Sequence, residues 1–426
     1  MTIKKSVAFL AMFGFAAAAP CGAEIVQVSP VGGETVAMIP EAQKKAMSLP
    51  TLADRIKLFK DDEAGDKTLR RDKTWRKAAP LLLKWRTTSG EKGPWKIEIG
   101  KEPDLSDARA WYVQANEIDP VTGREIEKKS GEATGVFSRQ IARANLESNR
   151  EYFWRVTTRG RCGMFCGPNH DCGKNANVVR SGISSFRTED AAPRWIALEG
   201  EVGNVRDLGG WRAAGGRRVR QGMIYRGQGL NENSVTGERR GRCRLTVEDR
   251  DYLAGTLGIR TDLDLRTPGE TADMEESPLG RGVKLVRSSS PFYRGIFLKN
   301  GAPDRLHGTM ATMAENFKVF CKRENYPVYV HCIGGSDRTG SLAYILLGVL
   351  GVDRHDMEVD WESTFYPKIP DANPDPNFWC RESHFNEGLS KYGEEGDSWT
   401  RRIELYLLDC GVTEEEIAAF RAIMLE

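Results

Sequence analysis

The sequence predicts a multidomain protein: an N-terminal all-β sandwich followed by a C-terminal α/β domain with a mainly parallel sheet flanked by helices. Three observations predict this. The chain has 426 residues, enough for two or three domains. Residues 77–190 carry short alternating strands and polar turns with no helical period. Beyond Trp195, strand-like and helix-like segments alternate in the order that builds a parallel sheet with crossover helices.

Each segment follows in order. Residues 1–23 place Lys4 and Lys5 before the apolar run Ser6–Ala19, and then Cys21-Gly22-Ala23. This is the three-part pattern of a cleaved signal peptide, and its apolar run is short for a membrane span. The expected location is therefore secreted or periplasmic. No later segment has the length and apolar content of a membrane span. Residues 24–76 read as a polar leader and linker, with one helix near Glu41 to Met47 and a charged stretch at Asp61-Asp62-Glu63.

In the sandwich region, Leu81–Trp85 is one strand, and Trp95, Ile97 and Ile99 share one face of the next. Tyr152–Val156 and Gly182–Phe186 complete the set. Cys162, Cys166, His170 and Cys172 interrupt it. They have spacing that could bind zinc, although a disulfide-pinned loop suits an exported protein better. In the α/β region, Ile259–Leu265, Val283–Val286 and Pro327–His331 read as strands. Gly308–Arg323 and Thr339–Leu350 read as helices.

Composition narrows the class. Hydrophobic residues at 40% and charged residues at 29% fit a folded globular chain. The formal charge of +2 gives no case for nucleic acid as a partner. Ten arginines between Arg206 and Arg244 form a local basic stretch, either a solvated face or an attractor of anionic substrate. Eight of the nine cysteines lie beyond the export segment, where disulfides can form, and Cys380 and Cys410 are one candidate pair.

The stretch His331-Cys-Ile-Gly-Gly-Ser-Asp-Arg-Thr-Gly340 carries chemistry. A buried strand ends at Cys332, and a helix follows Arg338. A loop in that position can turn peptide N–H groups inward, and the helix N-terminus adds partial positive charge. The result is an anion cradle. Gly334 and Gly335 allow close approach of the backbone. Arg338 offers a planar fork for two phosphate oxygens. The same donors favour a thiolate at Cys332. Cys332 is thus the candidate nucleophile, Asp337 the candidate general acid, Arg338 the phosphate clamp, and Thr339 the hydroxyl that stabilises the sulfur. His331, Ile333, Gly334, Gly335, Ser336 and Arg338 form the candidate substrate-binding set. This mechanism calls for no metal and no cofactor.

That string resembles the phosphate-binding loop of the protein tyrosine phosphatase superfamily, and within it the bacterial atypical branch whose loop reads His-Cys-x-x-Gly-Lys-Asp-Arg-Thr-Gly. Asn204-Val-Arg-Asp-Leu-Gly-Gly210, Gly222–Gly227, Leu257–Arg266 with Glu270, and Tyr406–Ile417 match the same branch in order. The resemblance spans residues 195–426. It implies hydrolysis of phosphomonoesters, on phosphotyrosine and also phosphoserine or phosphothreonine, through a cysteinyl-phosphate intermediate. Its substrates would be phosphorylated proteins or small phosphomonoesters. Ser336 stands where the branch carries lysine, which weakens the case for highly charged substrates. Arg206, Asp207, Arg226 and Arg266 are candidates for the pocket border, each with an internal ion pair as the alternative. Asp207 is also the second candidate acid.

Leu83-Lys-Trp85, Ile97–Gly100, Asn145–Val156 and Ser185–Thr188 resemble a fibronectin type III domain. Such a module implies a surface or protein partner. Two other functions compete with phosphate hydrolysis. Rhodanese-like sulfur transfer also uses a loop cysteine before a helix, but Asp337-Arg338-Thr339 argues against it. A non-catalytic phosphate-recognising binding protein fits less well with an intact Cys, Asp, Arg and Thr.

Overall fold

The computed structural model describes residues 24–55, 57–58, 78–88, 93–118, 135–141, 143–158, 178–232, 241–271, 274–288, 293–299, 309–364 and 382–426. The expected export segment, the Cys162–Cys172 insertion and Cys380 lie outside them. Within the described residues the chain divides into two compact units. One is drawn from Met1–Val31, Leu83–Arg139 and Phe153–Ser184, the other from Gly32–Leu82, Gln140–Tyr152 and Ser185–Glu426.

The strands before residue 190 are β1 (Ile25–Ser29), β2 (Thr35–Val36), β3 (Leu81–Thr87), β4 (Trp95–Gly100), β5 (Arg109–Val113), β6 (Asn116–Glu117), β7 (Val136–Ile141), β8 (Glu151–Thr158) and β9 (Ser184–Thr188). In the first unit β1 pairs antiparallel with β3, and β6 pairs antiparallel with β7. In the other sheet β4 lies between β5 and β8, antiparallel to both. The alternation of sequence sets the buried face. Trp95, Ile97 and Ile99 are all buried, as are Leu83 and Trp85. Trp85 and Trp95 meet edge to face at 5.4 Å, and Phe137 packs on both. The buried Trp154 donates its indole N–H to the Pro30 carbonyl at 2.9 Å.

The second unit holds a six-stranded sheet of β10 (Arg194–Trp195), β11 (Arg206–Asp207), β12 (Ile224–Gly227), β13 (Thr261–Asp264), β14 (Lys284–Arg287) and β15 (Val328–His331). Their order is β10-β11-β12-β15-β13-β14. The last four in that order run parallel, while β10, β11 and β12 pair antiparallel, so the sheet is mixed at one margin. β15 is central, and all four of its residues are buried, which accounts for its unbroken Val-Tyr-Val-His run. β12, β13 and β15 end side by side at Gly227, Asp264 and His331. The carboxyl edge of such a sheet is where α/β proteins place their sites.

The longer α-helices are α1 (Glu41–Met47), α2 (Met310–Phe320), α3 (Arg338–Val349), α4 (Arg354–Glu362), α5 (Glu382–Leu389), α6 (Trp399–Cys410) and α7 (Glu414–Met424). Every residue of α3 is buried, and the helix packs against α2, α4 and α6. A helix buried on all sides belongs inside a domain, and this one, apolar beyond its first turn, fixes the position of the loop that precedes it. Among the described residues, no helix is long and apolar enough to cross a membrane.

The segment expected as a separate leader is not set apart. β1 belongs to the first unit's sheet, and Gly32–Leu82 belongs to the second unit. Trp195 donates its indole N–H to Gln43 Oε1 at 3.0 Å. Arg55 is fully buried and forms a two-pronged pair with Glu362, at 2.6 Å and 2.9 Å. Its polar sequence suggested solvent, but a buried guanidinium paired to a buried carboxylate is also polar.

Candidate active site

β15 delivers His331 and Cys332 to the carboxyl edge of the sheet, and α3 begins at Arg338. Between them the loop is pinned from behind. The Gly229 N–H donates to the Ile333 carbonyl at 3.1 Å. Asn204 Nδ2 donates to the carbonyls of Gly334 at 3.1 Å and Gly335 at 3.2 Å. Arg226 Nη2 donates to the Gly335 carbonyl at 2.8 Å. In a trans peptide the N–H points opposite to the C=O. Pinning these three carbonyls therefore turns the N–H groups of Gly334, Gly335 and Ser336 the other way, as an anion cradle requires. Gly335 adopts φ of 67°, in the left-handed region that glycine tolerates best.

Cys332 is 2% exposed at the base of this loop. Burial alone would push its thiol up. The Arg338 charge and the hydroxyl and N–H of Thr339 outweigh burial and hold the thiol below its ordinary 9.0. Among the described residues the buried Thr339 hydroxyl has no hydrogen-bond partner, so its proton is available to the sulfur, whose pKa it helps to lower. Arg338 is itself held in place. Its Nη1 and Nη2 donate to Glu270 at 2.7 Å and 3.1 Å, and Glu270 also accepts from the Thr267 N–H and hydroxyl. Burial would raise the Glu270 carboxyl, but these donors bring it down to about 2.

His331 is fully buried between two carboxylates of β13. Its Nε2 lies 2.9 Å from Asp262 and its Nδ1 lies 3.8 Å from Asp264. Burial favours the neutral ring, yet Asp264 and then Asp262 carry its pKa above 6.5. Nδ1 also lies 3.2 Å from the Cys332 carbonyl, so the ring orders the start of the loop. Asp337 is half-buried at the N-cap of α3, and its side chain does not cap the helix.

The residues proposed as a pocket border go elsewhere. Asp207 is 0% exposed, pairs with Arg194 at 3.0 Å and accepts from the N–H groups of Gly209 and Gly222. This is the turn-forming, ion-paired role, and it removes Asp207 as an acid facing substrate. Arg206 and Arg226 are 0% exposed and share Asp360 as counter-ion. Arg226 supports the loop from behind and does not line its mouth. Arg266 is 1% exposed and bound to Asp264 and Asn231. Sequence reasoning assigned no role to Asn204, Glu270, Asp360 or Thr364. Asn204 and Glu270 stood inside matched motifs, whereas Asp360 gave no local signal. Thr364 contacts Asn204 and Arg206.

Among the described residues, no group of three or more His, Cys, Asp or Glu side chains is placed to hold a metal ion. Among the described residues, Cys243, Cys321, Cys332 and Cys410 are free thiols.

A family model described as the tyrosine phosphatase family matches residues 196–426. The chain belongs to this family. It is therefore a phosphatase, and the matched residues include β11 to β15 and the loop before α3. A protein of Cupriavidus necator that carries a provisional tyrosine-protein phosphatase name is 31% identical over 201 residues, covering 41% of this chain and 67% of that one. A tyrosine-protein phosphatase of Nostoc commune is 26% identical over 287 residues, covering 57% of this chain and 94% of the relative. Among solved structures, the core catalytic domain of the PP-IP phosphatase SIW14 from S. cerevisiae, in complex with citrate, is 17% identical. It covers 39% of this chain and 89% of that chain, with a TM-score of 0.23.

Proposed function

We propose that this phosphatase hydrolyses phosphomonoesters, phosphotyrosine foremost and also phosphoserine or phosphothreonine, through a cysteinyl-phosphate intermediate on Cys332. The observation that carries this reading is the loop itself. Three pinned carbonyls turn their N–H partners to the opposite side of a loop that begins at a thiol whose pKa is lowered. Arg338, aligned by Glu270, grips two non-bridging oxygens of the phosphoryl group. The Cys332 sulfur attacks phosphorus in line with the ester oxygen. The P–O bond breaks as Asp337 gives its proton to the leaving oxygen. Asp337, now a carboxylate, takes a proton from water, the water oxygen attacks phosphorus, and the S–P bond breaks to return the thiolate. Thr339 donates to the departing sulfur. His331 orders the loop and does not touch the reacting atoms.

Export is part of the proposal. It is supported by the Lys4-Lys5, apolar and small-residue pattern of residues 1–23. A fibronectin type III-like sandwich at 77–190, serving a surface or protein partner, is supported by the antiparallel pairs β6/β7, β4/β5 and β4/β8 and by a tyrosine corner. In that corner the Tyr152 hydroxyl accepts from the Glu147 N–H at 2.9 Å. Cys332→Ser tests the core of the reading. Hydrolysis of an aryl phosphate should disappear while orthophosphate or vanadate still binds. Wild-type turnover in that variant would end it. Fractionation of cells expressing the full chain tests export.

A further inference from the structure

Beneath the loop the structure buries two arginines against one carboxylate. Asp360, on α4, is 1% exposed. Its Oδ1 accepts from Arg206 Nε at 2.9 Å, and its Oδ2 accepts from Arg226 Nη1 at 2.5 Å. Among the described residues, Asp360 is the ion-pair partner of both. Each arginine then reaches one residue further. Arg226 Nη2 holds the Gly335 carbonyl at 2.8 Å. Arg206 Nη1 holds Asn204 Oδ1 at 2.5 Å, and the Asn204 amide nitrogen in turn holds the carbonyls of Gly334 and Gly335. Both routes start at one carboxylate and meet on the Gly335 carbonyl, and the Asn204 route also holds that of Gly334.

We infer that Asp360 is a positioning residue for the phosphatase reaction, fixing Arg226 and Arg206 so that the loop presents its N–H groups to the phosphoryl oxygens. The inference rests on the proposed reading of residues 331–340 as the phosphate loop. It also assigns a use to the unequal charge. Two guanidinium groups against one carboxylate leave one positive charge in excess, and an uncompensated buried charge is unfavourable. The anion available to balance it is the Cys332 thiolate or the phosphate that replaces it in charge. In keeping with this, burial and then Arg206 push the Arg226 guanidinium down to about 10, while Asp360 and Cys332 act in the opposite direction.

Two mechanisms give opposite signs, which makes the test decisive. If Asp360 acted only as a nearby negative charge, Asp360→Asn would tighten orthophosphate and favour the thiolate further. If it positions the loop, both should worsen. The experiment uses the full-length chain as wild type, Asp360→Asn and Arg226→Lys. Circular dichroism checks the fold. The readouts are kcat/KM on an aryl phosphate, inhibition by orthophosphate, and the pH midpoint of Cys332 alkylation followed by peptide mass mapping. Positioning predicts at least tenfold weaker orthophosphate inhibition, at least tenfold lower kcat/KM, and an upward shift of the alkylation midpoint in both variants. Tighter orthophosphate in Asp360→Asn, or a folded variant within threefold of wild type on both kinetic readouts, overturns it. If Asp360→Asn does not fold, Arg226→Lys decides alone, because it keeps the buried charge and removes only the fork that spans Asp360 and Gly335. Retained hydrolysis in Cys332→Ser would instead remove the phosphate-loop reading, whatever these two variants do.

Discussion

Gly335→Ala should damage both stability and catalysis, and the structure gives the size. A Cβ on Gly335 would lie 2.2 Å from the Gly227 carbonyl oxygen, 2.5 Å from its carbon and 3.0 Å from Asn204 Nδ2. The first two are backbone atoms at the end of β12, a strand hydrogen-bonded on both sides, so they cannot swing aside as a flexible side chain would. Relief needs a displacement of about 1 Å. Overpacking of that kind costs about 1–3 kcal/mol. Holding alanine at φ of 67° adds about 1–3 kcal/mol. The expected loss is thus about 2–6 kcal/mol if the loop keeps its shape, and less if it moves. Movement of the loop would carry the Ser336 N–H and Arg338 with it, and a misplacement near 1 Å lowers catalysis by roughly 100-fold. Chemical denaturation measures the first effect and kcat/KM on an aryl phosphate the second. Gly255→Ala is the control, since nothing lies within 4 Å of a Cβ there. Wild-type stability together with wild-type kcat/KM in Gly335→Ala would refute the argument that this peptide builds the cradle.

Three further outcomes follow from the same geometry. Arg55→Met leaves Glu362 buried without its guanidinium and should cost about 3–5 kcal/mol in denaturant titration. The double variant Arg55→Met/Glu362→Leu should recover part of that loss, and an unchanged Arg55→Met would show that the segment is not integral to the second unit. Iodoacetamide should modify Cys332 with a pH midpoint below 9.0, because its thiolate persists as pH falls, whereas Cys321 and Cys410, pushed up to about 12 by burial, should resist at neutral pH. Equal labelling of the three by mass mapping would contradict this order. Glu270 has a folded-state pKa of about 2 against an ordinary 4.5, so its contribution to stability is present above 4.5 and is lost as pH falls through about 2. The stability difference between wild type and Glu270→Gln should therefore be constant above pH 4.5 and shrink below it.

Local pattern carried much of the fold. The one helix expected before the sandwich, at Glu41 to Met47, is α1, and the Trp95, Ile97 and Ile99 alternation marks a buried face. The apolar run after Arg338 is α3 to within a residue or two. The strand ending at His331 is β15. These features depend on neighbours in sequence, which periodicity reports. The supports of the site do not. Asp360 lies 154 residues from Arg206 and 134 from Arg226, and Arg55 lies 307 from Glu362. A run such as Glu358-Val-Asp360-Trp-Glu362 suggests a solvated helix face, because acidic residues are seldom buried unless paired. Its burial here depends on arginines that only the folded chain brings near. The antiparallel margin of β10 and β11 escaped notice for a related reason. Two-residue strands are too short to show a period.

The central claim is that phosphorus passes through a bond to the Cys332 sulfur. Rapid acid quench of the wild-type protein with a phosphorus-labelled aryl phosphate, followed by peptide mapping, tests it directly. The account predicts a transient label on the peptide containing Cys332, formed at the rate of aryl alcohol release and absent in Cys332→Ser. It also predicts that the label persists longer in Asp337→Asn, where water lacks its base. Turnover at the wild-type rate with no label on Cys332, or with label on another residue, would contradict it.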